Sequence, residues 1–168
     1  MGHVQKDPES LEHEAFLDTS GSDPRYQFAK SLLEVCGETG PIIVYNQSFE
    51  KRIIRELAET FPDLSNRLLA LNERVFDLLP VAKNNYYHPD MKGSWSIKKI
   101  LPCLVPELSY SDLENVQDGL QAQAVYLESI HNDLSEVEKN ALREDLLAYC
   151  QLDTYAMVAM VDRLQQEN

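Results

Sequence analysis

Gly40-Pro41-Ile42-Ile43-Val44-Tyr45-Asn46-Gln47-Ser48-Phe49-Glu50 holds the turn, the strand and the helix start on which the reading of this chain rests. Gly40 and Pro41 break what precedes them. Ile42-Ile43-Val44-Tyr45 is short, continuous and largely β-branched, the pattern of a strand buried on both faces of a parallel sheet. A helix follows at once, carrying Phe49, Ile53, Ile54, Leu57 and Phe61 until Pro62 stops it.

The same alternation of strand and helix extends outward. Upstream, residues 11–17 (LEHEAFL) alternate apolar and polar like a half-buried strand. Asp23 and Pro24 have the chemistry of an N-cap and first helical residue, opening a helix through Phe28, Leu32 and Leu33 that ends by Gly37. Downstream, a short helix is expected from Asp63 to Leu71, a strand at Arg74-Val75-Phe76, and a helix from Asp77 toward Asn84. A loop runs from Asn85 to Gly93, Ser96 can cap a helix SIKKIL, and two more helices are expected near 118–131 and 136–166. This order predicts one α/β layered domain with a core over 10–166. Three visible strands are few for so many helices, since sheets commonly hold about 4–6.

Composition sets the outer limits. The chain has 168 residues, 43% of them hydrophobic and 26% charged, which suits a globular domain and excludes a disordered or fibrous one. No apolar run approaches the roughly 18–20 residues of a membrane span, and the N-terminus has no signal-peptide core, so a cytoplasmic protein is expected. Cys36, Cys103 and Cys150 are odd in number and lack C-x-x-C spacing, which points to reduced core thiols. The four histidines show no H-x-x-x-H pair, and neither G-x-S-x-G nor a phosphate-cradling glycine loop is present.

Fifteen basic against 28 acidic residues leave a net charge of −13. So acidic a chain is not steered to a polyanion by its overall field. The charge is uneven, however. Glu107 to Glu138 holds eight acids and no Lys or Arg, as a solvated helical face would. Lys83 to Lys99 holds four lysines and one acid, together with Tyr86, Tyr87 and Trp95. That stretch, with Trp95, Lys98 and Lys99, either stacks on and tracks a single nucleic-acid strand or packs its aromatics on the domain.

Two carboxylates stand where apolar residues should be. On the last helix, at about 100° per residue, Leu142, Leu146, Met160 and Leu164 fall within about 20° of Asp153, and Tyr149 within about 40°. On the helix after the Ile42–Tyr45 strand, Leu57 and Phe61 lie within about 20° of Glu50. A carboxylate in an apolar stripe needs a partner, a metal or a cavity. Glu50 can serve the positive end of its helix, and Asp153 a buried backbone group or an arginine. Two such acids near one strand end instead suggest a shared site for a hard cation, Mg²⁺ or Mn²⁺. Tyr149 can hold a water there or fill the core. Asn46 can touch a substrate or cap the helix.

Tyr45-Asn46-Gln47-Ser48-Phe49-Glu50 resembles the second motif of the DnaQ-like (DEDD) 3′–5′ exonucleases, with Glu50 where Asp is usual, and Tyr149-Cys150-Gln151-Leu152-Asp153 resembles their Y-x-x-x-D third motif. The stretch between, including VFDLLPVAK and YYHPDMKGSWSIKKILP, resembles an uncharacterised bacterial family with such a nuclease domain, and this likeness runs from about His13 to Leu164. The resemblance implies an RNase H-like three-layer fold with a mixed sheet. It also implies two divalent ions held by four carboxylates, and a single-stranded DNA or RNA end as substrate. On this sequence Glu50 and Asp153 become metal ligands, Tyr149 the water-orienting group, Asp77 a further acid at the site edge, and Asn46 and Phe49 substrate contacts.

The family's first motif, a D-x-E on its first strand, departs here. Asp7-Pro8-Glu9 lies in a polar, proline-containing turn, and Glu12 and Glu14 belong to a later strand. The expectation is therefore an N-terminally truncated fold, weak or inactive alone, with an exposed sheet edge that can drive self-association. The alternative is a catalytically inert binding or scaffold module of nuclease descent.

Overall fold

A computed structural model describes residues 11–166, apart from 114, 117 and 131–133. The elements run α1 (Arg25–Cys36), β1 (Ile42–Val44), α2 (Ser48–Thr60), α3 (Ser65–Arg74), β2 (Val75–Asp77), α4 (Leu78–Asn85), α5 (Ile97–Leu104), α6 (Gly119–Ser129) and α7 (Glu136–Gln166). Single 3₁₀ turns occur at Pro89–Met91 and Tyr110–Asp112. Among the described residues the chain is mostly helical, and no helix is long and apolar enough to cross a membrane.

β1 and β2 pair in parallel, with Ile42 opposite Val75, Ile43 opposite Phe76 and Val44 opposite Asp77. α2 and α3 make the crossover between them, as a parallel pair requires. The sheet among the described residues has only these two strands. That explains why Ile42 and Ile43 are half-buried and Phe76 is exposed, although the sequence pattern suits a strand covered on both faces.

The strand expected over residues 11–17 does not form: 11–19 carry no regular secondary structure. An alternating pattern supplies one apolar face but no ladder partner. Here the segment is held otherwise, by Phe16 packing on Phe28 of α1 at 5.6 Å and by Arg143 of α7 donating to the Leu17 carbonyl at 2.9 Å. Glu12 and Glu14 are exposed on it, and Asp7 and Glu9 lie outside the described residues. At α1 the cap is one residue out of register. Pro24 takes the N-cap position, and Asp23 accepts from the Arg25 amide at 3.1 Å while pairing with its guanidinium at 2.7 Å. That pairing draws the Asp23 carboxyl down to about 2. The three cysteines are free thiols, but Cys150 is exposed and Cys36 and Cys103 only half-buried, so none is a fully buried core thiol.

Among the described residues, two apolar clusters carry the fold. One joins α1, α2 and α3 through Ala29, Leu33, Ile54, Leu57, Leu68 and Leu71. The other joins α4, α5 and α7 through Ala82, Ile100, Leu101, Leu104, Ala156 and Met160. β1 spans the join: Ile42 packs on the first cluster, and Tyr45, just past the strand, on the second.

Two polar clamps set the position of the sheet. Arg74, the last residue of α3, donates to the carbonyls of Cys36, Gly37, Thr39 and Gly40 at 2.6–2.7 Å. It thereby satisfies the C-terminal end of α1 and holds the turn before β1. Gly40 at φ +85° adopts a backbone that side chains with a Cβ rarely tolerate. At the other end of the sheet Asp77 gathers three backbone amides. Its Oδ1 accepts from Asn46 at 2.8 Å and Leu79 at 3.0 Å, and its Oδ2 from Gln47 at 3.1 Å.

Both clamps should register in denaturant unfolding. Asp77→Asn keeps an acceptor but removes the charge and one oxygen from two helix starts, and is expected to cost about 1–3 kcal/mol. Arg74→Lys should cost a similar amount, about 1–3 kcal/mol, because an ammonium cannot span four carbonyls. A midpoint unchanged in either variant would contradict the assignment.

Candidate functional site

The Asp77 clamp shapes the ground around Glu50. Tyr45 leaves β1, and Asn46 turns the chain with φ +68°, a left-handed conformation that asparagine accepts better than most residues. Gln47 then stands at the N-cap of α2, and Glu50 lies in the helix's first turn. Asn46 is thus the turn residue rather than the cap. Its side-chain oxygen accepts from the Ser48 hydroxyl at 3.3 Å.

Glu50 is half-buried, and its Oε2 is a buried oxygen without a hydrogen-bond partner. Burial pushes its carboxyl above the ordinary glutamate value; its own backbone amide pulls it down, and the Asp77 charge adds to the upward push. Asp77 itself is occupied by three amides, so a cation reaching it would compete with the anchoring of two helices. The two acids nevertheless sit close enough to feel one another.

The second half of the site lies on α7. Leu146, Ala156, Met160 and Leu164 are buried, and Asp153 is half-buried on the same helix. Among the described residues it meets two tyrosines rather than a backbone group or an arginine. The phenol of Tyr110, from the 3₁₀ turn before α6, donates to Asp153 Oδ1. Tyr149, one helical turn before Asp153, packs its ring 6.1 Å from that of Tyr110. Burial raises the Tyr149 phenol well above the ordinary tyrosine value, and Asp153 raises it further, so it stays a proton donor. Tyr110 is raised likewise, first by burial and then by its bond to Asp153.

Asp118 links the halves. It caps α6, accepting from the Leu120 and Gln121 amides at 2.9 Å, and pairs with Lys98 at 3.7 Å. Its charge also reaches Tyr149. With Phe49, Gly119, Leu120 and Gln123 it lines an open cavity of about 730 Å³. Phe49 is 61% exposed there, and the Arg52 guanidinium lies 5.3 Å from the centre of its ring. The neighbour of Glu50 and the neighbour of Tyr149 therefore face one space.

The basic-aromatic stretch divides. Trp95 is half-buried, accepts the Tyr45 phenol at its carbonyl and donates its indole N–H to the Tyr86 carbonyl at 3.3 Å. The Tyr86 phenol bonds the Cys103 carbonyl at 2.8 Å. These aromatics pack on the domain, and burial pushes the Tyr45 phenol up to about 12. Tyr87 stays 65% exposed, Lys99 is exposed, and Lys98 is drawn to Asp118.

Oxygen donors of this kind suit Mg²⁺ or Mn²⁺. The unpartnered Glu50 oxygen fits such a role, since a bound cation would satisfy it. Among the described residues, no group of three or more His, Cys, Asp or Glu side chains sits together as a metal site. Tyr110 and Asp118 escape a reading by motif. Tyr110 lies in irregular chain with no period to place it. Asp118 carries only the cap signature of an acid before a helix.

Comparison with known proteins gives the family. The chain matches the model of a domain of unknown function, DUF2779, over residues 2–96. It is 29% identical over 135 residues to Uncharacterized protein UU173 of Ureaplasma parvum serovar 3, a match covering 70% of this chain and 19% of that protein. It is 29% identical over 131 residues to Uncharacterized protein MG366 of Mycoplasma genitalium, covering 71% of this chain and 20% of that one. It is 32% identical over 130 residues to the MG366 homolog of Mycoplasma pneumoniae, covering 70% and 19%. The chain thus spans about a fifth of the length of these curated relatives. No solved structure matches it. With more than half of its length under the family model, the chain belongs to the DUF2779 family.

Proposed function

We propose that this chain carries part of the active site of a metal-dependent 3′–5′ exonuclease, in an RNase H-like fold of the DnaQ type. The observation that carries the reading is the unpartnered, buried Glu50 oxygen just past the end of β1. Asp153 and Tyr149 together on α7 support it. A bound divalent cation would supply activation of water and neutralisation of the phosphodiester charge. Glu50 and Asp153 are the donors this chain offers it. Tyr149, held protonated, orients a water by donating to it or accepting from it. Phe49 and the cavity it shares with Asp118 receive the nucleotide end.

β1 pairs only with β2 among the described residues, so its other edge is open there. A further strand bearing two carboxylates along that edge would complete a four-carboxylate site. The chain on its own is accordingly expected to be a weak nuclease.

The direct experiment is digestion of a 5′-labelled single-stranded oligonucleotide in millimolar Mn²⁺. Slow shortening from the 3′ end, lost in Asp153→Asn, is expected. Calorimetry should show Mn²⁺ binding that Asp153→Asn weakens. No shortening together with no binding heat would overturn the reading and favour an inert scaffold.

Glu50 supplies a separate measurement. A buried carboxyl raised above its unfolded value destabilises the fold once both states are ionised. Glu50→Gln should therefore stabilise the chain at neutral pH by about 0.5–2 kcal/mol, a common gain when functional strain is relieved. The gain should be absent below the ordinary glutamate range, where folded and unfolded states are both protonated. It should grow as the pH rises through the raised folded value. Thermal unfolding across pH checks this, and destabilisation at neutral pH would mark Glu50 as a structural partner instead.

A further inference from the structure

We propose that Tyr110 is the positioning residue for Asp153: its phenol holds Oδ1 and sets which way the carboxylate faces when it takes up a divalent cation. The inference rests on the metal-site reading of Asp153 given above.

The two residues are 43 positions apart and meet through a side-chain hydrogen bond. Two other phenols in the same cluster, Tyr45 and Tyr86, donate to backbone carbonyls. Tyr110 instead spends its one proton on an acid of the candidate site. Its ring is 5% exposed, within the cluster that contains Ala156, Met160 and Leu164 of α7. So deep a ring cannot touch a nucleic acid, and any influence on the site passes through Asp153.

Burial also makes it a firm support. An aromatic side chain has two rotatable bonds, and here the ring is packed on all sides, so its oxygen is nearly fixed. The 3₁₀ turn beneath it is held by the Ser109 hydroxyl accepting from the Ser111 amide at 3.2 Å and by the Leu113 amide donating to the Tyr110 carbonyl at 3.2 Å. Asp153 without that bond could swing about its own side-chain torsions. Tyr149 also meets Asp153, but from one turn away on the same helix and with its ring half-buried, where a water can compete for its phenol. Tyr110 thus holds the carboxylate from the buried side, while Tyr149 meets it from the half-buried one. Charge-assisted bonds of this type are the ones through which residues behind a ligand tune metal affinity.

Tyr110→Phe keeps the ring and removes the hydroxyl. Calorimetry with Mn²⁺ should show affinity weakened about 10-fold or more, as for other groups that orient a ligand. The electron paramagnetic resonance line shape of bound Mn²⁺ should change as well, which a change in stability alone would not produce. In the unsubstituted chain with ¹³Cζ-labelled tyrosine, Mg²⁺ titration should move the Tyr110 resonance. It should leave Tyr26 in place, since that phenol bonds Asp63 and packs on Phe61 beside the other cluster. This second measurement decides the matter even if the variant fails to fold. Equal Mn²⁺ affinity in a folded Tyr110→Phe, or an unmoved Tyr110 resonance while Mg²⁺ binds, would overturn the inference alone. An unsubstituted chain that binds no divalent cation would overturn the metal-site reading and this inference with it.

Discussion

One carboxylate at the end of a two-stranded sheet holds together the parts on which the candidate site stands. Asp77 ends β2, lies opposite Val44 at the end of β1, and accepts amides from Asn46, Gln47 and Leu79. Three-residue strands contribute few ladder bonds, so the pairing needs support from outside the ladder. Asp77 gives it by charge as well as by geometry, because its acceptors face the starts of α2 and α4, where unpaired N–H groups carry partial positive charge. The same placement fixes the direction in which α2 leaves the strand, and with it the place of Glu50. It also puts a negative charge near Glu50, which adds to the cost of ionising an acid already stripped of solvent. The anchor of the fold thus adds to a strain in the site whose larger part is the burial of Glu50 itself.

The two halves of the site draw on different cores. Glu50 rides on α2, whose Ile54 and Leu57 belong to the cluster with α1 and α3. Asp153 rides on α7, whose Ala156 and Met160 belong to the other cluster. Their relation depends on β1, with Ile42 committed to one cluster and Tyr45 to the other. Tyr45 is tied further by its bond to the Trp95 carbonyl, which joins the strand end to the loop before α5. The aromatics of that loop therefore serve the alignment of the two cores, and the packing of Trp95 and Tyr86 outweighs a stacking role for them. Tyr87, exposed, is the aromatic in that stretch left to meet a ligand.

Much of this was legible in the residues because it depends on local pattern. Continuous β-branched residues mark β1, a 3.6-residue period marks α2 and α7, and the apolar stripe of α7 isolates Asp153 as out of place. What was not legible depends on contacts distant in sequence. The alternation in 11–17 reads as a strand, but a strand exists only beside a neighbour, and Phe16 finds α1 instead. Asp77 reads as a site acid because it follows a strand; only the fold brings three amides to it. The partner of Asp153 comes from Tyr110, in chain without periodicity, where no spacing rule applies.

The charge of the chain bears on how such a site could work. A net −13 repels a polyanion within the screening length, and several of the described cations are already engaged. Lys98 is paired with Asp118, Arg163 with Glu107 at 2.9 Å, and Arg74 is spent on backbone carbonyls. The acid run expected to be a plain solvated face is therefore partly engaged, and it neutralises Lys98 and Arg163. Approach of a phosphodiester to Glu50 and Asp153 would set anion against anion. On the proposed reading, a divalent cation held by these carboxylates would reverse that local sign, and metal binding would have to precede strand binding. On the same reading the Phe49 cavity would give a nucleotide an apolar surface, and the charge to bring one there would come from the cation.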